Sequence, residues 1–338
     1  MVGGRNDVGG WHALRVANNA RNRSAQGSGV ATLKQLASAG TSRTQVRRLV
    51  SAGRLLAVRR GVYTSAARAA ASAADKRRAH ALQVAAVLAS CDFPAVASHR
   101  SAALIHGLDL IGQQGTETVT VTRSPGSRGS RSLRSGANIH AAGLPVRHLV
   151  ARDGIRLTSV ARTVVDLART CSFREGVVVA DSALRTGQTT VPEISAIISD
   201  CARWPGVRWA RAVAAFSDHR AESALESIGR VVFREYRLPA PELQVWVGGD
   251  LGVVGRADYF WPRYRTIAEA DGAIKYADPR QAMRQLDRDA RLRDAGFEVV
   301  HFTWQEITLT PWQVAEPIRA AFVHGAVRGR SERQRPIP

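Results

Sequence analysis

TLKQLASAGTSRTQVRRLVSAGRLLAVRRGVYT, residues 32–64, sets two short helices and a hairpin in one continuous run. Leu33, Leu36 and Ala37 recur at helical spacing, and Ala39-Gly40 ends that helix. Thr41-Ser42 caps a second helix, Arg43 to Ala52, whose inward face is Val46, Leu49 and Val50 and whose stop is Gly53. Two short helices joined by so tight a turn make a helix-turn-helix. After Gly53 the pattern changes to Leu55–Val58, Arg59-Arg60-Gly61 and Val62-Tyr63, a short β-hairpin with a basic tip that serves as a wing. Thr44, Arg47, Arg48 and Ser51 lie off the apolar stripe and would face a major groove, while Arg59 and Arg60 reach phosphates. The same pattern also fits a helical hairpin whose arginines are merely solvated.

Charge sharpens the choice. The chain of 338 residues carries 48 Lys+Arg against 28 Asp+Glu, a net +20. Residues 1–74 hold 12 basic residues and one acid (+11), residues 75–218 hold 18 and 11 (+7), and residues 219–338 hold 18 and 16 (+2). A bias towards Arg throughout the genome is an alternative source of the excess, since only Lys34, Lys76 and Lys275 are lysines, but it does not explain the gradient. A basic N-terminal segment attracts polyanions, which makes duplex DNA the expected partner.

The length leaves room for two or three domains, and 45% hydrophobic with 22% charged residues suits a folded globular chain. The longest uncharged apolar run, Ala79 to Cys91, is too short to cross a bilayer, so no membrane partner is expected. Met1 to Gln26 lacks the apolar core of a signal peptide, and the expected compartment is the cytoplasm. Cys91, Cys171 and Cys201 are odd in number and far apart, which argues against a disulfide framework or a thiolate zinc site.

Outward from the opening stretch, residues 1–28 read as a flexible basic arm, 29–74 as the winged helix-turn-helix, 75–218 as a mixed, mainly helical middle region, 219–325 as an α/β domain and 326–338 as a flexible tail. In the middle region Ala79–Ser90 and Ser98–His106 read as helices, Thr116–Thr122 as a strand, Ser124–Gly136 as a Gly/Ser/Arg loop, and Thr158-Ser159 as the cap of a helix through Arg162 and Asp166 to Ala168. Another helix follows around Val177–Leu184. His99 and His106 lack a third ligand at suitable spacing and read as helix-packing residues. The last third orders a helix (Arg220–Arg237), three strands (Leu243–Val247, Val253–Phe260, Arg265–Asp271), a charged helix from Pro279 to Ala295 and a fourth strand (Glu298–Phe302). Helices follow, the first two capped by Thr303 and Thr310. That is αβββαβ in a mixed α/β chain.

Candidate chemistry sits on those strands. A hairpin turning between Arg263 and Tyr264 places Asp258 opposite Glu269, roughly 5 Å apart at Cβ, with Asp271 on the same face two residues on. Three converging carboxylates repel, and Mg²⁺ or Mn²⁺ is the usual remedy. Lys275 is close enough to swing over that face and orient a water or offset phosphate charge, and Glu226 could add an acid from the preceding helix. Two readings stay open from the residues alone: a metal site, or ordinary strand carboxylates beside a loop.

The order SALES (Ser223–Ser227), GRADYFWP (Gly255–Pro262), IAEADG (Ile267–Gly272), KY (Lys275-Tyr276) and EVVHFTW (Glu298–Trp304) resembles a domain of unknown function related to very-short-patch-repair endonucleases, of the PD-(D/E)xK nuclease fold. The resemblance covers about residues 220–310. It implies a restriction-endonuclease-like fold with Asp258 and Glu269 as metal ligands, Glu226 as the helix acid and Lys275 as the lysine. Asp271 occupies the position where the nuclease signature has Lys, a departure that bears on activity. Residues 32–64 resemble the N-terminal winged-helix domain of AbiEi-type antitoxins, which represses transcription of its own operon. SHRSAALIHGL (Ser98–Leu108) and TSVARTVVDLA (Thr158–Ala168) resemble the middle region of bacterial proteins that join these modules. In such antitoxins a C-terminal domain neutralises a nucleotidyltransferase toxin; here a nuclease-like domain stands in its place, which gives a toxin partner little support. Two functions follow: a DNA-binding, Mg²⁺-dependent endonuclease, or a non-catalytic transcriptional regulator of the AbiEi antitoxin kind with a degenerate nuclease fold.

Overall fold

A computed structural model describes residues 27–112, 118–126, 136–249, 252–272 and 279–333. The expected arm, most of the loop 124–136 and Lys275 lie outside the described residues. The chain divides into two compact units, one of Met1–Cys171 with Gln188–Ala212 and the other of Ser172–Gly187 with Val213–Pro338.

The first unit opens with β1 (Ala31–Thr32), α1 (Leu33–Ser38), α2 (Arg43–Ser51), β2 (Leu55–Arg59), β3 (Val62–Ser65) and α3 (Ala66–Ala73). Both α1 and α2 start with a capping box. The Ser42 hydroxyl accepts from Gln45 N at 3.2 Å while Gln45 Oε1 accepts from Ser42 N at 2.7 Å, and Thr32 and Gln35 do the same. The apolar spacing then closes a small core of Ala31, Leu36, Val46 and Leu55, with Leu49 and Val50 packed against it. β3 lies between β1 and β2 and is antiparallel to both. The two-residue β1 has no signature in the sequence.

The same unit continues through α4 (Lys76–Ser90), β4 (Ala95–Ala97), α5 (His99–His106), β5 (Val119–Arg123), β6 (Ala137–Ala141), a 3-10 turn (Val146–His148), β7 (Leu149–Arg152), β8 (Ile155–Thr158), α6 (Val160–Thr170) and, after a helix that belongs to the second unit, α8 (Val191–Asp200). The middle region is mixed, and five strands accompany its helices where the sequence shows one. Its strands form a five-stranded sheet in the order β6-β5-β4-β8-β7, in which β4 and β8 run parallel with Ala97 opposite Leu157. β4, β7 and β8 are three or four residues long, too short to show the alternation that marks a strand. Val84–Val87 of α4 cover the sheet's Val119, Val121 and Leu157.

In the second unit α7 (Phe173–Arg185) packs on α10 (Ala224–Glu235), with Asp181 and Arg230 in an ion pair at 2.8 Å. Sequence reading leaves α7 in the middle region because no change of composition marks the crossing. α9 (Val207–Phe216) spans the boundary. The expected αβββαβ order follows as α10, β9 (Glu242–Gly249), β10 (Gly252–Trp261), β11 (Thr266–Asp271), α11 (Pro279–Asp294) and β12 (Glu298–Thr303), then α12 (Trp304–Leu309) and α13 (Trp312–Arg333). α13 thus continues to Arg333 where the sequence suggests a flexible tail from 326. Sheet order is β12-β11-β10-β9, with β12 parallel to β11 and the other pairs antiparallel. Phe233 of α10 meets Tyr259, Trp261 and Phe302 edge-on, with centroids 5.0, 5.3 and 5.9 Å away. Among the described residues no helix is long and apolar enough to cross a membrane.

Gly229 lets α10 approach this aromatic group, since a Cβ there would sit 2.3 Å from Tyr259 Oη and 3.1 Å from Phe302. Gly229→Ala is expected to destabilise the second unit by about 1–3 kcal/mol through overpacking. Urea unfolding followed by tryptophan fluorescence checks this, and Tyr259→Phe in the Gly229→Ala background should restore part of the loss by removing the closest atom.

Candidate functional site

Thr44, Arg47, Arg48 and Ser51 lie at i, i+3, i+4 and i+7 on α2, and all four are exposed while Val46 between them is buried. The β2–β3 hairpin follows at once, with Gly61 at φ 77° turning its tip. Arg60 at that tip is exposed and Arg59 is half-buried. The capping boxes leave neither helix start free to fray, so the arginine-bearing stripe is presented from a fixed frame.

The second candidate site lies on the other unit's sheet. β10 and β11 pair as Tyr259↔Ala268, Phe260↔Ile267 and Trp261↔Thr266, and the next step of that register sets Asp258 opposite Glu269. The carboxylates nevertheless end in two different hydrogen-bonding groups. Asp258 accepts from Ala270 N at 2.9 Å and from Gln244 Nε2 at 3.2 Å. The same Gln244 amide donates to Glu226 at 2.8 Å, and Glu226 also accepts from Glu222 N at 2.7 Å and from the Ser223 hydroxyl at 2.9 Å. Burial raises the Glu226 pKa against those donors, with the Asp258 charge adding to the rise.

Glu269 belongs to the other group. It is buried and pairs with Arg288 of α11 at 2.8 Å. Arg288 also donates to Arg256 O, and a Cβ on Gly255 would lie 2.6 Å from Arg288 Nε, so the glycine makes room for the guanidinium. Asp271, also buried, meets His301 Nδ1 at 3.2 Å, and His301 Nε2 meets Asp289 at 2.8 Å. Burial opposes a charged His301, yet the hydrogen bonds and charges of Asp271 and Asp289 outweigh it, and its pKa stands above the ordinary value of 6.5. Arg288 and His301 are the residues that sequence reading misses. An Arg in a helix of alternating charge and a His in a strand carry no local signal of what they face.

Each described carboxylate is thus already met by protein donors. Among the described residues no group of three His, Cys, Asp or Glu side chains is arranged to hold a metal ion. Asp258, Glu269 and Asp271 as placed do not fit a divalent cation, and Lys275 lies outside the described residues.

Residues 21–66 match the model of a family described as a transcriptional regulator, the AbiEi antitoxin. The match spans α1, α2 and the β2–β3 hairpin. The chain is also similar to two uncharacterized proteins of Mycobacterium tuberculosis, one from strain CDC 1551 / Oshkosh and one from strain ATCC 25618 / H37Rv. Each is 32% identical to it over 166 residues, which is 49% of this chain and 61% of the relative. The chain therefore spans about three-fifths of the length of these relatives.

The imidazole at 301 supplies a pH test. A raised folded pKa means stabilisation that is fully present below the unfolded value and lost as pH rises through the folded one. The unfolding free energy of the second unit should therefore fall as pH rises above the ordinary imidazole value of 6.5, and His301→Gln should flatten that part of the profile, as measured by urea titration at a series of pH values.

Proposed function

We propose that the chain is a DNA-binding transcriptional regulator of the AbiEi antitoxin kind, in which a winged helix-turn-helix contacts duplex DNA and the C-terminal αβββαβ unit is a non-hydrolytic, restriction-endonuclease-like platform. The observation that carries this reading is the coincidence of the antitoxin family match over residues 21–66 with the exposed stripe of Thr44, Arg47, Arg48 and Ser51. In this reading α2 lies in the major groove, Thr44 and Ser51 reach base edges or sugar, Arg47 and Arg48 hold phosphates, and Arg59 and Arg60 of the wing hold the flanking backbone. The charge gradient supports the same end of the chain as the DNA-binding end.

The nuclease reading has the αβββαβ order and the opposed Asp258 and Glu269 in its favour. Against it stand the Glu269–Arg288 pair, the His301 bridge between Asp271 and Asp289, and Asp271 itself at the position where the resemblance calls for lysine. A guanidinium on the carboxylate that should hold Mg²⁺ supports a platform rather than a hydrolase.

Four phosphate contacts set the size of the expected effect. Replacing Arg47, Arg48, Arg59 and Arg60 together by Ala should flatten the slope of log K against log salt by about 3 to 4 units, read by fluorescence anisotropy on duplex DNA at several salt concentrations. An unchanged slope would remove the winged-helix assignment, and Mg²⁺-dependent nicking of plasmid that disappears in Asp258→Ala would restore the endonuclease.

A further inference from the structure

Arg162 of α6 is completely buried. Its guanidinium has five N–H donors, and three of them are accounted for. Nε donates to Asp166 Oδ2 at 2.9 Å, and Nη1 donates to Gly143 O at 3.0 Å and to His148 Nδ1 at 2.9 Å. Nη2, with the other two, is buried and has no hydrogen-bond partner among the described residues. Orphaned donors on a buried cation are costly, and Arg169 brings a second positive charge to the same carboxylate and ring. Trp204 lies over both Arg162 and Arg169, with the two Cζ atoms 4.5 and 5.0 Å from its ring centroid. Asp166, shared by the two arginines at 2.9 and 3.5 Å, is the one carboxylate bonded to them among the described residues.

Beside them His99 and His140 stack with centroids 3.9 Å apart at 19°. His99 is held at φ +49°, a left-handed conformation that a non-glycine residue keeps only where its surroundings enforce it. Ser98 Oγ accepts from the Thr122 hydroxyl at 2.8 Å and lies 3.0 Å from His99 Nδ1. Its own O–H can donate to that nitrogen, an arrangement that leaves the His99 proton on Nε2 as a donor. Burial, followed by the positive charges of His140, Arg162 and Arg169, pushes the His99 pKa down to about 3. Burial lowers the His140 pKa as well, with the Asp166 charge opposing that fall and Arg169 adding to it, so both imidazoles are uncharged at neutral pH.

The placement is one that open α/β sheets use for ligands. β4 and β8 are adjacent parallel strands, and His99 and Arg162 come from the first turns of the helices that leave their carboxyl ends. We propose that the first unit holds a small oxyanion, a phosphate or carboxylate group, between Arg162 Nη2, Arg169 and the stacked His99–His140 pair. The anion accepts from the two orphaned N–H groups of Arg162 and from the imidazole edge, and Arg169 supplies the second positive charge. Arg162 has no exposed surface, so a polymer backbone cannot reach it and the occupant has to be a compact free anion. This site is independent of the DNA-binding reading.

The test is isothermal titration of the full chain at constant ionic strength with three probes: inorganic phosphate, a nucleoside 5′-monophosphate and malonate. Saturable binding of at least one is expected, and the probe that binds best identifies the source of the anion. Arg169→Gln and His140→Ala, both at half-buried positions, should weaken it by about tenfold or more, whereas Arg156→Ala, which removes a surface arginine of the same unit, should leave it unchanged. Arg162→Lys keeps the charge but loses the fork and should abolish binding; circular dichroism and the melting temperature establish that each variant is folded. Absence of saturable binding of all three probes to the wild type would overturn the proposal, as would equal affinity in wild type, Arg169→Gln and His140→Ala.

Discussion

A positive charge with no access to solvent governs the first unit. Taking a guanidinium out of water costs several kcal/mol even after relaxation, and the chain around Arg162 is shaped by meeting that cost. Gly143 after β6, His148 at the end of the 3-10 turn, Asp166 one turn along α6 and Trp204 beyond α8 all converge on one side chain. The arrangement extends outward through His148, which accepts from Arg162 at Nδ1 and so presents Nε2–H to Asp200 at 2.8 Å. Asp200 in turn takes a bidentate contact from Arg147. Segments far apart in the chain are thereby tied to the helix that follows β8, and strands of three or four residues are held in a sheet that their own length would not sustain.

How much of this was legible depended on whether the deciding signal was local. The two N-terminal helices are written in the sequence because their apolar spacing and stops are all within reach of one another, and Ser42 caps where the pattern implies. The β10–β11 register follows from the turn alone, which is why Asp258 and Glu269 are correctly set on neighbouring strands. What the sequence hides is the non-local answer to each charge. Nothing near Glu269 announces Arg288, and nothing in TSVARTVVDLA distinguishes an inward Arg162 from an arginine on a solvated face. The i, i+4 pairing of Arg162 with Asp166 inside an otherwise apolar helix is the one available hint, since such a pair on a buried face has to be internal. The short strands β4, β7 and β8 were lost for a different reason: at three or four residues each they are too brief for an alternation to show.

The two acidic groups of the second unit show the same rule with opposite outcome. A carboxylate cluster that could have been met by a cation from solution is met instead by Arg288 and His301, and Gly255 supplies the space that Arg288 needs. A sheet that sets two carboxylates opposite each other is thus compatible with a site whose electrostatics are satisfied internally, and fold and chemistry separate at the level of two side chains.

The helix α7 has a consequence for how the protein is made. Ser172–Gly187 pack with the second unit while the residues before and after them belong to the first, so a growing chain emerges with α7 complete but with α10, its packing surface, still unsynthesised. Its apolar stripe, which includes Val177, Val178 and Ala180, all buried in the finished protein, stays uncovered through that interval. Neither unit can be released by a single cut in the chain. A fragment that begins at 219 leaves Arg230 without Asp181, and translation of the whole sequence has to pass through a stage in which the first unit is nearly finished and carries a helix that belongs elsewhere.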